Sequence, residues 1–444
     1  MRSPATRRAA RWPDVVALLA AAAGAGAAAP PDGAATQPQP DRVMVLRPDR
    51  VFDGEAMRAG WVVVVRGRRI DSAGPAGDVP IPADAEDVSL PGTTLLPGLI
   101  DLHAHVLLHP YDETPWIDQV LREPESLRVA RAVNHLRATL EAGFTTIRDL
   151  GTEGAGDADV GLREALESGV VAGPRLLISN RAIVATGTYA PKGFAPAWRV
   201  PQGAEEADGH ELVRVVREQI GRGADWVKVY GDYRAGPSGE AVPTFSLDEL
   251  RLVVETAASL GRPVAVHAST AEGMRRAALA GARTIEHGDG GTAEVFALMA
   301  EHGVAFCPTL AAGHAISQYA GWRPGADPEP ARVRAKRATF GAALAAGVPI
   351  AAGSDVGVFT HGDNVRELQL MVEYGMSPLA TLASATAVNA EVLNLSARIG
   401  RVAPGLAADL LVVAGDPAAA IGALRDVRLV LKDGQVVRDE IRAR

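Results

Sequence analysis

Between residues 94 and 399 the chain alternates short apolar runs with helical patterns eight times. The apolar runs fall at residues 95–105, 145–150, 175–179, 226–230, 264–267, 284–287, 305–309 and 350–354. Each is continuously apolar rather than alternating, as expected of a strand covered on both faces. Helical stretches lie between them. Ser246-Leu247-Asp248-Glu249 is a capping box that opens one, and Gly143, Gly261, Gly281, Gly303 and Gly347 stand where helices should end. Eight strand-then-helix units predict an α/β fold, a closed parallel (β/α)8 barrel of the TIM type. A doubly wound open sheet is the competing arrangement. Polar residues at five strand ends favour closure, because only a closed barrel brings those ends together.

The two ends of the chain have a different character. Residues 42–93 and 400–444 carry short valine-rich runs at 43–46, 61–65, 409–413, 427–431 and 435–438. Turn dipeptides such as Asp53-Gly54, Arg66-Gly67 and Asp433-Gly434 punctuate them. We therefore expect a composite β-sandwich domain built from both ends, flanking a barrel over 94–399. A formal charge of −8 without a basic stripe argues against nucleic-acid binding. The single cysteine, Cys307, excludes an intrachain disulfide and a thiolate metal cluster.

Before the sheet, Arg2, Arg7, Arg8 and Arg11 precede an apolar run from Val15 to Ala29. That layout predicts a secretory signal peptide over 1–29, followed by a disordered leader over 30–41. The expectation is an exported protein, periplasmic or secreted, without stable membrane insertion after processing. The alternative is an Ala-rich extension on a cytoplasmic protein.

The polar residues of the barrel sit at the C-terminal ends of its strands, where such barrels build their sites. His103 and His105 close the first strand, and a spacing of two puts both imidazoles on one face. Lys228 lies in the fourth strand, His267 and His287 end the fifth and sixth, and Asp355 follows the eighth. Six ligand-type residues converging on one rim predict a metal site. The segment Pro97-Gly-Leu-Ile-Asp101-Leu-His103-Ala-His105 resembles the first-strand signature of the amidohydrolase superfamily, in its binuclear metal subtype. Gly223-Ala-Asp-Trp-Val-Lys-Val-Tyr230 and Ala268-Ser-Thr-Ala-Glu-Gly273 make the chain similar to its imidazolonepropionase-related and Xaa-Pro dipeptidase-like members, bacterial ochratoxin A-hydrolysing ones included. The resemblance implies a pair of divalent metal ions, Zn²⁺ by donor type. It assigns His103, His105 and Asp355 to one ion and His267 and His287 to the other. Lys228, carboxylated by carbon dioxide, would bridge the two. A lysine inside an apolar strand suits that role, since a buried ammonium is costly and a carbamate between two cations is not. Asp355 is then placed as the general base and acid of hydrolysis.

For the substrate side, Tyr230 shares strand parity with Lys228 and lies nearer the mouth. Lys192 and Tyr189, in the loop after the third strand, and His361, after Asp355, are the other candidate substrate contacts. His135, His210 and His302 fall in helical patterns and read as surface residues. Many relatives carry Gly-Gly-His where this chain has Gly187-Thr188-Tyr189. The expected partners are a small-molecule substrate and further copies of the chain. Three readings stand: an amidase or carboxypeptidase for dipeptides and N-acyl amino acids, a cyclic amidase or lactonase, and a non-catalytic ligand-binding barrel. The intact ligand set with Asp355 counts against the last.

Overall fold

The structure, a computed structural model, describes residues 42–195 and 197–441. The expected signal peptide and leader, 1–29 and 30–41, lie outside the described residues. Among those described, no helix is long and apolar enough to cross a membrane.

Both ends of the described chain enter one eight-stranded sheet. Val43–Phe52 is its centre, antiparallel to Trp61–Arg66 and parallel to Glu86–Pro97. The C-terminal strands Leu410–Ala414, Val427–Lys432 and Gln435–Asp439 continue outward from Glu86–Pro97. Valine recurs in each of these strands, which suits a pleated, packed surface. The sheet curls over its own apolar face, so that Met44, Leu46, Val63 and Val65 from the N-terminal strands share a core with Leu410, Val412, Leu429 and Leu431. Its last hairpin turns on Asp433 and Gly434, both with positive φ (47° and 74°), as a two-residue turn matched to strand twist requires.

The run expected as one strand over 95–105 is two. Glu86–Pro97 belongs to the sheet and Leu99–Ala104 to the barrel. Pro97 cannot donate to a ladder, and the backbone changes partners at Gly98. Gly98 N donates to Asp409 O at 2.8 Å, while Leu99 N donates to Gly143 O at 2.9 Å. A Cβ at Gly98 would stand 2.1 Å from Thr145 Oγ1, so only glycine fits this crossing.

The barrel runs Leu99–Ala104, Phe144–Asp149, Arg175–Leu177, Val227–Tyr230, Val264–Ala268, Thr284–His287 and Ala305–Cys307 as parallel neighbours. Two joints are thinner than the sequence suggests. The third strand is short, and Ile178 O and Ile183 carry its pairing to the fourth. The expected eighth strand at 350–354 is reduced to single bridges, Phe306 with Ile350 and Ala104 with Val356. Backbone bonds from Leu102 N to Ala352 O (3.0 Å), Asp355 N to His103 O (2.7 Å) and His105 N to Val356 O (2.8 Å) still join it to the first strand, and side chains reinforce them. Buried Asp101 accepts from His103 N and Ser354 N at 3.0 Å each and from Asn364 Nδ2 at 2.7 Å. Asn389 Nδ2 donates to both Ile100 O and Ala352 O at 2.8 Å. First and eighth segments are thus stitched by buried polar side chains as well as by backbone bonds. The surrounding helices start and stop as patterned. Ser246 makes the full capping box, and Gly281 and Gly347 cap in the left-handed conformation.

Candidate active site

The C-terminal mouth brings the six expected ligand residues together. His103, His105 and Asp355 offer ligand atoms within 4.8 Å of one another. Asp355 Oδ1 lies 3.3 Å from His105 Nε2 and 3.6 Å from His103 Nε2, and Oδ2 lies 4.0 Å from His287 Nδ1. The His267 ring stands 4.4 Å from the His287 ring, and the His287 ring 5.0 Å from that of His103. Backbone strain concentrates here. His287 and Asp355 have φ of 72° and 61°, which non-glycine residues hold only when the surroundings impose it.

The donor set fits divalent metal. Three of its buried polar atoms, His103 Nε2, Lys228 Nζ and His267 Nδ1, have no hydrogen-bond partner, which is costly unless an ion takes the lone pairs. The opposite ring nitrogens are held: His103 Nδ1 to Glu286 Oε2 at 2.8 Å, His105 Nδ1 to Gly151 O at 2.9 Å, His287 Nδ1 to Thr309 Oγ1 at 2.8 Å. Such contacts orient imidazoles and fix their tautomers for a metal. Burial and the nearby Lys228 charge push His103 down to about 4 and His267 down to about 3, favouring neutral, ligand-ready rings. Burial lowers Lys228 as well.

Below the rim the barrel interior is charged, which the sequence reading missed. Arg148, fully buried, stacks on Trp226 at 4.2 Å and donates to Glu286 Oε1 at 3.0 Å and to Leu102 O at 2.7 Å. Burial would raise Glu286, but Arg148 and His103 hold it well below the usual carboxylate range. The signal was present: Arg148 and Glu286 are charges inside apolar strands, and buried charges are paired.

A cavity of about 550 Å³ opens from this cluster. Tyr189 and Tyr230 line it, but both hydroxyls point at Glu153, Tyr230 at 3.3 Å. Lys192 does not line it; it is exposed and donates to Arg234 O at 2.7 Å, so it is corrected from the substrate site to the loop surface. His361 is corrected too. It is buried behind the rim, with Nε2 on Leu108 O at 3.0 Å and its ring stacked 4.1 Å from His135. His135 is accordingly half-buried rather than a surface residue. The lining residues not foreseen include Tyr111, Glu153, Tyr233, Arg234 and Arg332. All but Arg332 sit on strand-end loops, whose positions periodicity does not encode.

Residues 94–437 match the amidohydrolase family. The chain is 30% identical over 370 residues to an uncharacterized Mycobacterium tuberculosis protein, covering 80% of this chain and 88% of that one. It is 29% identical over 398 residues to the ochratoxinase of Aspergillus niger, covering 82% and 79%. Among solved structures, a Xaa-Pro dipeptidase with methionine bound in its active site superposes with a TM-score of 0.78 at 31% identity, covering 89% of this chain and 99% of that one. Together with the strand-end cluster, these matches mean that the chain belongs to the amidohydrolase family and is a hydrolase acting on amide bonds.

Proposed function

We propose that the chain hydrolyses the amide bond of dipeptides or N-acyl amino acids whose leaving amino acid carries a free carboxylate, ochratoxin A included. The observation that carries this reading is a pair of guanidiniums, Arg234 and Arg332, lining the cavity that opens from the metal-type cluster. Both are exposed at its mouth, and among the described residues neither lies within ion-pair distance of a carboxylate, although Arg332 helps to hold Asp289 of the same cavity ionised. A carboxylate seated there gains a charge-assisted contact worth roughly 1.5–3 kcal/mol. The solved relatives support the reading, since one holds methionine and another, a prolidase 30% identical, holds N-methylphosphonate-L-proline. Both ligands carry a free carboxylate.

His103, His105 and Asp355 would hold one divalent ion, His267 and His287 a second, with Lys228 as a carbamate between them. Zn²⁺ suits these nitrogen and oxygen donors. A metal pair supplies an acidified water and a Lewis acid for the scissile carbonyl. Asp355 Oδ2 takes the proton of the attacking water and returns it to the leaving amine. Burial lowers the affinity of Lys228 for protons, which favours the neutral amine, the form that reacts with carbon dioxide. The N-terminal pattern at 1–29 supports export of the enzyme, which N-terminal sequencing of the mature protein checks.

The test is a matched pair, an N-acyl-phenylalanine and its C-terminal amide. We expect the free acid to be favoured about 10- to 100-fold in kcat/KM, and Arg332→Ala to erase most of that preference. Metal analysis should find about two divalent ions per chain. Equal rates on the pair would point to a cyclic amide or lactone instead.

A further inference from the structure

Glu153 is the one acid of the cavity outside the metal cluster that stands in a strained backbone. It follows the second barrel strand, is 2% exposed, and has φ of 50°. Buried Arg128 imposes that conformation, donating Nη1 to Glu153 O at 2.8 Å, Nη2 to Thr152 O at 3.0 Å and Nε to Leu107 O at 2.9 Å. Three of the guanidinium's five N–H donors thus go to carbonyls. Among the described residues, no cation stands within ion-pair distance of the Glu153 carboxylate.

That carboxylate faces an aromatic box. Oε2 accepts from Trp116 Nε1 at 2.9 Å and from the Tyr189 hydroxyl, whereas Oε1 accepts only a long bond, 3.3 Å, from the Tyr230 hydroxyl. A carboxylate offers about four acceptor positions, so Oε1 retains room for a strong donor. Tyr111, Tyr189, Tyr230 and Tyr233 line the same cavity, the Tyr189 ring lying 4.8 Å from those of both Tyr230 and Tyr233. An anionic floor with π-faced walls is the chemistry that recognises an ammonium group. It also repels a carboxylate and turns that end of a substrate toward Arg234 and Arg332. The box adjoins the reaction site: Tyr230 stacks 4.5 Å from His267, and Gly151, two residues before Glu153, holds His105.

We propose that Glu153 and its tyrosines form a subsite for the α-ammonium of the residue on the acyl side of the scissile amide. The proposal rests on the amide reading above and selects within it, favouring free dipeptides over N-acyl amino acids that lack the charge.

Alanyl-phenylalanine and propionyl-phenylalanine differ only by the ammonium group. The enzyme should favour the dipeptide about 10- to 100-fold in kcat/KM. Glu153→Gln keeps the shape and the hydrogen-bond hub but removes the charge. It should bring the two rates within about threefold while leaving propionyl-phenylalanine hydrolysis within about threefold of wild type. Equal wild-type rates on the pair, or a variant that slows both substrates alike, overturns the proposal. Calorimetric binding of the same two compounds to the metal-loaded wild-type enzyme separates it from the amide reading. Should neither compound be cleaved, that reading falls. Tighter binding of the dipeptide would still uphold the ammonium subsite, and equal binding, or none, would end it.

Discussion

At the C-terminal mouth of the barrel, Glu153, Asn180, His287, Thr309 and Asp355 all take left-handed backbone, five of the seven described non-glycine residues that do so. Each such residue costs on the order of 1 kcal/mol or more. The same rim leaves His103 Nε2, Lys228 Nζ and His267 Nδ1 buried without partners. At the opposite end, where strands begin and the barrel meets the sheet, charges are matched. Arg175 bonds Asp409 at 2.8 Å and Asp433 at 3.3 Å, and Asp409 also accepts from Asp433 N at 2.7 Å. Arg163 pairs with Asp225 at 3.1 Å. One end therefore holds groups ready for ions and substrate at a cost in stability, and the other sets Arg175 and Arg163 against carboxylates.

The sharpest break of this contrast is a substitution that removes function without touching the fold. Asp355→Asn keeps size and shape but accepts no proton. We expect kcat to fall by roughly 10²–10⁴, with the unfolding free energy changed by no more than about 1 kcal/mol. Near-normal turnover would take Asp355 out of the chemistry. The converse substitution is Arg175→Ala at the base. It leaves buried Asp409 without its cation, while Asp433 keeps Arg68 at 3.0 Å, and should cost roughly 2–3 kcal/mol in urea unfolding, while the kcat of folded protein stays within about threefold of wild type. If activity drops in proportion to stability, the two ends are coupled and the comparison fails.

A smaller effect tests the joint between the domains. Gly98→Ala forces a methyl against Thr145 and should destabilise by about 1–3 kcal/mol. Pairing it with Thr145→Ser, which removes a methyl from the same contact, should return part of the loss. No recovery would mean that the strain lies in the backbone handover rather than in that contact.

The barrel and its rim were legible because they obey repeating rules. Strand period, helix caps and ligand-type residues at strand ends all point the same way, so His103, His105, Lys228, His267, His287 and Asp355 are found without coordinates. What failed is informative. The strand at 95–105 read as continuous because Gly98 breaks partners, not periodicity. The eighth strand read as full because Ile350-Ala351-Ala352 is apolar, although its pairing is irregular and Asp101 and Asn389 share it with a few backbone bonds. Arg148 and Glu286 were overlooked although the argument that singled out Lys228, a charge inside an apolar strand, applies to them equally. The substrate wall was illegible for another reason. Where a loop side chain points depends on tertiary partners such as Arg128, which sits on a helix 25 residues from the Glu153 carbonyl it holds.

Lys192 makes that last point measurable. Its place between the third strand and the next helix, beside Tyr189, suggests a counter-ion for an acidic substrate. In the fold it is exposed, gives its ammonium to Arg234 O at 2.7 Å and stands 5.9 Å from the Tyr233 ring. An exposed bond of this kind exchanges one solvated donor for another, so its loss is worth no more than about 0.5 kcal/mol. Lys192→Ala should therefore change kcat/KM for an N-acyl-phenylalanine by less than about threefold. Arg332→Ala, in a residue that is also exposed but lines the cavity, should cost the same substrate about tenfold. If Lys192 carries the larger loss, the loop must fold over the bound substrate. The carboxylate would then be read from the third-strand side of the mouth rather than from the helix that bears Arg332.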